Sequence, residues 1–153
     1  MQNSTQEIVT STFLGVVEQL TFMFGELVDK EDLSLDGCEM SQAAMNFNGD
    51  LVGTLSVAVP SAIMADIAAN ILGLEPEDIE PDTMLPDALA EMLNVVCGHV
   101  IMAMIGTDAN FKLESPHIEV LSAEAVQELL GRDDCIGFQL DDSPVLLGLR
   151  LEQ

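Results

Sequence analysis

Leu85-Pro86-Asp87-Ala88-Leu89-Ala90-Glu91-Met92-Leu93-Asn94-Val95-Val96-Cys97-Gly98 reads as a helix with one polar face and one core face. At about 100° per residue, Asp87, Glu91, Asn94 and Gly98 fall within a stripe roughly 60° wide. Leu89, Met92, Leu93, Val96, Val100 and Ala103 take the opposite side, where a core-facing stripe is expected. Pro86 is expected in the first helical turn, where its missing N–H has no intrahelical partner. Asp87 would then stand near the positive end of the helix dipole. An acid, an amide one turn on and a glycine one turn beyond make an unusual outer face. An ordinary solvated face would also carry Glu and Asn, so the rest of the chain has to decide.

The chain has 153 residues, of which 48% are hydrophobic, enough for one domain (1–153) with a real core. Its 27 acidic residues face four basic ones, Lys30, Lys112, Arg132 and Arg150, for a formal net charge of -23. Binding to nucleic acid or to anionic membranes rests on Lys and Arg neutralising phosphates, so neither partner is expected. The same shortage leaves few cations to clamp a free phosphorylated metabolite. If phosphate chemistry occurs here, another molecule must bring the positive charge. Acidity alone also keeps a protein soluble in a crowded or salty cytoplasm.

Met1-Gln2-Asn3-Ser4 lacks a basic n-region and an apolar run, so no secretory signal is read. The longest apolar run, Val95 to Ile105, is broken by His99 and falls short of a membrane span. Cys38, Cys97 and Cys135 are widely spaced and form no Cys-x-x-Cys pair, which suggests neither a disulfide framework nor zinc. A reduced, cytoplasmic protein without a metal of its own is the expectation.

Ser4-Thr5-Gln6-Glu7 matches a capping box, and a first helix is expected to run to about Phe24. From Cys38 the apolar period becomes two. Asn48-Gly49 reads as a hairpin turn, followed by a return strand bearing Leu51, Gly53, Leu55, Val57 and Val59. Pro60-Ser61 is expected to stop that strand and cap a second helix, with Gly73 just past its end. Residues 75–82 read as an acidic, proline-broken linker without the EF-hand ligand pattern. A short strand from Ile118 to Leu121, a helical turn opened by Ser122, and a hairpin of Cys135 to Leu140 with Val145 to Leu151 complete the order.

Two halves of this order echo one another. Glu18-Gln19-Leu20-Thr21-Phe22-Met23-Phe24-Gly25 has the spacing of Glu91 to Gly98, with Thr21 where Asn94 stands. A repeat of this kind suggests halves related by a pseudo-twofold axis. Enzyme motifs are otherwise missing: no Gly-x-Gly-x-x-Gly, P-loop or Gly-x-Ser-x-Gly occurs, and His99 and His117 have no partner at ligand or triad spacing. What is left is the acid–amide stripe. Phosphoryl transfer to water needs a water held in line and charge neutralised, and a carboxamide can hold that water because it both donates and accepts.

Asp87-x-x-x-Glu91-x-x-Asn94-x-x-x-Gly98 resembles the motif of the CheC/CheX/FliY chemotaxis phosphatases at every fixed position, and the order of elements resembles that family over nearly the whole chain. The resemblance implies an α/β (α+β) fold: a long antiparallel sheet, two long helices packed on one face, and a pseudo-twofold internal repeat. It also implies hydrolysis of the phospho-aspartate of a CheY-type response regulator. Glu91 would pair with the regulator's lysine, Asn94 would orient the water, Gly98 would leave room for the partner backbone and Asp87 would flank the contact. Mg²⁺ would sit in the regulator, with no cofactor bound by this chain. Thr21 implies a silent first copy, and a single site is similar to the CheX branch, whose members are homodimers. The rival reading is a non-catalytic module of the same fold that sequesters a regulator or other signalling partner; a salt-adapted structural subunit is a third.

Overall fold

Apolar residues at Leu55, Val57 and Val59, and at Leu147 and Leu149, suit two strands in the middle of a sheet. In the computed structural model, which describes residues 3–152, β3 (Gly53–Pro60) and β7 (Ser143–Leu151) pair antiparallel with Leu55 opposite Leu149 and Val57 opposite Leu147. Each has its hairpin partner outside it, β2 (Met40–Gly49) and β6 (Cys135–Leu140). β1 (Gly25–Val28) lies beside β6 at one edge, while β4 (Phe111–Leu113) and β5 (His117–Leu121) share the other edge along β2. All seven strands are antiparallel to their neighbours.

The topology contains the expected repeat. Helix α1 (Asn3–Thr21) leads into β1, β2 and β3; helix α3 (Pro81–Ile105) leads into β4, β5, β6 and β7. Each half places its hairpin centrally and its leading strand against the other half's hairpin: β1 on β6, and β4 with β5 on β2.

Both long helices pack on the same face of the sheet. Val9, Phe13 and Val17 of α1 and Leu89, Met92, Leu93 and Val96 of α3 share one core with Met45, Phe47, Leu55, Val57, Phe138 and Leu147. Fully burying an aliphatic or Phe side chain contributes roughly 1.5–3 kcal/mol, so this face dominates stability. The rings of Phe13 and Phe138 tie α1 to β6 at a centroid distance of 4.8 Å. Helix α2 (Met64–Leu72) adds Met64 and Ile67 to the same core. On the other face, Met40, Ala58 and Leu146 meet Val126 and Leu129 of α4 (Ala123–Leu130). With the sheet centre covered on both sides, Val145 to Leu149 are buried without a break.

Local differences have local causes. Ser4 lies inside the first turn of α1 instead of capping it, and α1 ends at Thr21, because Phe22 adopts φ 58°. Asn48-Gly49 is not a two-residue turn. Phe47 pairs with Gly53, and Gly49 (φ 123°) continues β2 to pair with Phe111. The tight hairpin is Asp141-Asp142, both at positive φ, joining Leu140 to Ser143. Ser61 opens a short 3₁₀ turn and bonds Ser41 through its hydroxyl, whereas Ser122 caps α4 as expected, accepting from the Ala125 N–H. The end of the acidic linker is helical, since α3 starts at Pro81.

Helix α3 is, among the described residues, the one helix long and apolar enough to cross a membrane, with mean hydropathy 1.8 over its most apolar window. Its apolar side is occupied by the sheet and by its neighbour helices.

Candidate functional site

Pro81 occupies the start of α3, where a proline costs nothing, and Asp82 supplies the acid in the first turn. Pro86 therefore stands inside the helix, where its ring removes one backbone donor. Asp87 belongs to the second turn, away from the positive end of the dipole. Ala88, Leu89, Met92, Leu93, Val96 and Cys97 bury the opposite side and fix the helix's rotation. The buried arc drifts along the helix: Val100 and Ile101 are buried near its end, while Ala103, expected in the core, is exposed.

That rotation turns the polar stripe outward. Asp87 and Glu91 are exposed, Asn94 and Gly98 half-buried, so all four expected residues share one face of α3. At 1.5 Å per residue the stripe is about 16 Å long, with Glu91 and Asn94 as surface neighbours. Among the described residues, no side-chain hydrogen bond engages Glu91 or Asn94; the bonded polar side chain nearby is His99, whose Nδ1 meets the Val95 carbonyl at 2.8 Å. A Cβ built on Gly98 would meet nothing within 4 Å. No packing inside this chain demands a glycine there.

A helix face is convex and cannot enclose a small substrate. It presents an acid, an amide with donor and acceptor both free, and open space, which suits completion of a site on a second macromolecule. Other chemistries fare poorly. Burial pushes the Cys97 thiol up to about 12, so it carries no useful thiolate at neutral pH. Among the described residues no group of three or more His, Cys, Asp and Glu could hold a metal.

Three of the four cations are engaged elsewhere. Arg132 grips Asp134 with two hydrogen bonds of 2.8 and 2.9 Å, Arg150 approaches the same carboxylate at 3.6 Å, and the Lys30 ammonium donates to the Arg132 carbonyl. Burial alone would raise the Asp134 carboxyl, but the bonds and charge of Arg132, with Arg150, hold it below its ordinary value.

The first-half counterpart is built differently. Glu18 is exposed, but Thr21 is fully buried at the helix end. Its hydroxyl donates to the Val17 carbonyl at 2.7 Å and accepts from the Met23 N–H at 3.2 Å. The Asn70 amide of α2 donates to the Thr21 carbonyl at 2.6 Å. Thr21 thus closes a helix and cannot face a partner. Asn70 was missed in the sequence, which carries no local signal for a bond made across 49 positions.

The profile of the family described as chemotaxis phosphatase CheX matches residues 41–136, which include Glu91 and Asn94. No curated protein sequence matches the chain. Among solved structures, the chain is similar to CheX from Borrelia burgdorferi in a complex with CheY, BeF3 and Mg²⁺, at 14% identity and TM-score 0.67, covering 97% of each chain. It is similar to CheX from Desulfovibrio desulfuricans at 14% identity and TM-score 0.67, covering 97% of this chain and 99% of that one. A CheC-like protein from Shewanella sp. PV-4 aligns over 100% of both chains at 15% identity and TM-score 0.64. At such identities the likeness is one of fold.

Proposed function

Because the chain belongs to the CheX chemotaxis phosphatase family, we propose that it hydrolyses the phospho-aspartate of a CheY-like response regulator. Asn94 orients the attacking water, and Glu91 pairs with the regulator's lysine. The observation that carries this reading is the outward, unpartnered Glu91–Asn94 pair beside open space at Gly98. Docking alone has no need of a free amide next to the acid; water placement does. The charge balance supports the same division of labour. No cation stands in the stripe, so the regulator supplies both the lysine and the Mg²⁺, as a CheY partner with Mg²⁺ accompanies the similar Borrelia burgdorferi CheX. Asp87 flanks the contact, and Gly98 lets the partner backbone approach. A homodimer joined through strand edges belongs to the same reading, since β1 and β5 each leave one side unpaired.

The test is loss of phosphate from a phosphorylated receiver domain with Mg²⁺, with and without catalytic amounts of the protein. The parent accelerates it; Glu91→Lys, which sets like charges together, abolishes both acceleration and binding. A parent that binds the receiver without accelerating hydrolysis is a sequestering module instead.

A further inference from the structure

Helix α1 ends where Phe22 enters the left-handed region (φ 58°), a conformation that bulky residues rarely adopt. The turn buries Met23, 7% exposed, and throws Phe22 and Phe24 outward, each 70% exposed. With Gly15, Glu18 and Gln19 of α1, the two rings line an open groove of about 580 Å³. A Cβ at Gly15 would meet nothing within 4 Å, so the glycine keeps the groove floor clear. None of this surface belongs to the Glu91–Asn94 stripe.

Charge decides what fits there. The lining holds one carboxylate, Glu18, and no cation. Asp141 places a second carboxylate beside the Phe24 backbone: its Oδ1 accepts from the Phe24 N–H at 3.0 Å and its own N–H donates to the Phe24 carbonyl at 2.9 Å. Arg132 and Arg150 are gathered about Asp134, Lys30 donates to the Arg132 carbonyl, and Lys112 lies in β4. A second copy docked groove to groove would set Glu18 against Glu18, with no cation in either lining. Aromatic faces beside carboxylates suit the opposite chemistry, because the rings take up an apolar side chain and also attract Lys or Arg over their faces.

We propose that this groove docks a basic segment of a partner protein, with an apolar side chain flanked by Lys or Arg inserted beside Phe22 and Phe24. The inference is independent of the phosphatase reading.

The test is an NMR titration of the full chain, at physiological salt, with a capped peptide of one leucine among four lysines. Shifts are expected at Gly15, Glu18, Gln19, Phe22 and Phe24, with affinity falling about tenfold or more in the double variant Phe22→Asn, Phe24→Ser. Asn tolerates the left-handed backbone at 22, and the exposed Glu18→Lys supplies a second variant that weakens binding without touching the core. Shifts spread over the acidic surface, an alanine-for-leucine peptide that binds equally, or unchanged affinity in the variants overturns the proposal. So does self-association of the parent that the Phe22→Asn, Phe24→Ser variant abolishes, because the occupant is then a second copy.

Discussion

Replacing Gly98 separates what the fold needs from what a partner needs. A glycine inside a helix costs roughly 0.5–1 kcal/mol relative to alanine. Gly98 lies within α3, and a Cβ there meets nothing within 4 Å. Gly98→Ala should therefore stabilise the free protein by that amount. For a chain of this length 1 kcal/mol moves Tm by about 2–4 °C, so a rise of about 1–4 °C is expected in a thermal melt. Gly98→Leu should also fold, because its side chain projects into the same open space. On the proposed reading the partner backbone approaches through that space, so Gly98→Leu should weaken receiver binding at least tenfold, about 1.4 kcal/mol, by fluorescence anisotropy. A lower Tm for Gly98→Ala would show that the glycine serves packing within this chain. Parental binding and turnover by Gly98→Leu would show that no partner comes near Gly98.

Thr21→Ala removes the hydroxyl that satisfies the Met23 N–H and should cost about 1–3 kcal/mol in denaturant unfolding while leaving phosphatase activity intact. A large activity loss in a folded Thr21→Ala protein would mean that the first-half copy takes part. Because Arg132 and Arg150 hold Asp134 below its ordinary value, its contribution is present above the unfolded carboxylate range and is lost as pH falls through the folded value. Tm should thus fall more steeply below about pH 4 for the parent than for Asp134→Asn; superimposable profiles would show that the pair adds nothing to stability.

The α3 stripe was legible in the sequence because a helix's period is local: once Leu89, Met92, Leu93 and Val96 define the buried side, Glu91 and Asn94 must face outward. The β6–β7 hairpin and the Ser122 cap were legible for the same reason, each being specified within a few residues. What escaped depends on distant partners. Residues Gly25 to Val28 carry no strand signature of their own and become β1 only by pairing with Leu140 to Gly137. Phe111 to Leu113 become β4 against Phe47 to Gly49, which also turns Asn48-Gly49 from a tight turn into strand. Pro86 misled the reading of the helix start because Pro81, five residues earlier, fills the first-turn position that a proline favours. The departure of the first-half copy was legible as a Thr in place of an Asn. Its cause, a helix end clamped by Asn70, was not.

Water placement by Asn94 carries the proposed chemistry, and a single substitution isolates it. Asn94 is half-buried on the outer face of α3, so Asn94→Ala removes the amide without opening the core. The measurement is the rate of receiver dephosphorylation by Asn94→Ala, taken together with its affinity for the phosphorylated receiver. The expected result is a fall in rate on the order of 10²-fold or more, the scale of a misplaced reactant, with affinity nearly unchanged. Dephosphorylation by Asn94→Ala at the parental rate would contradict it.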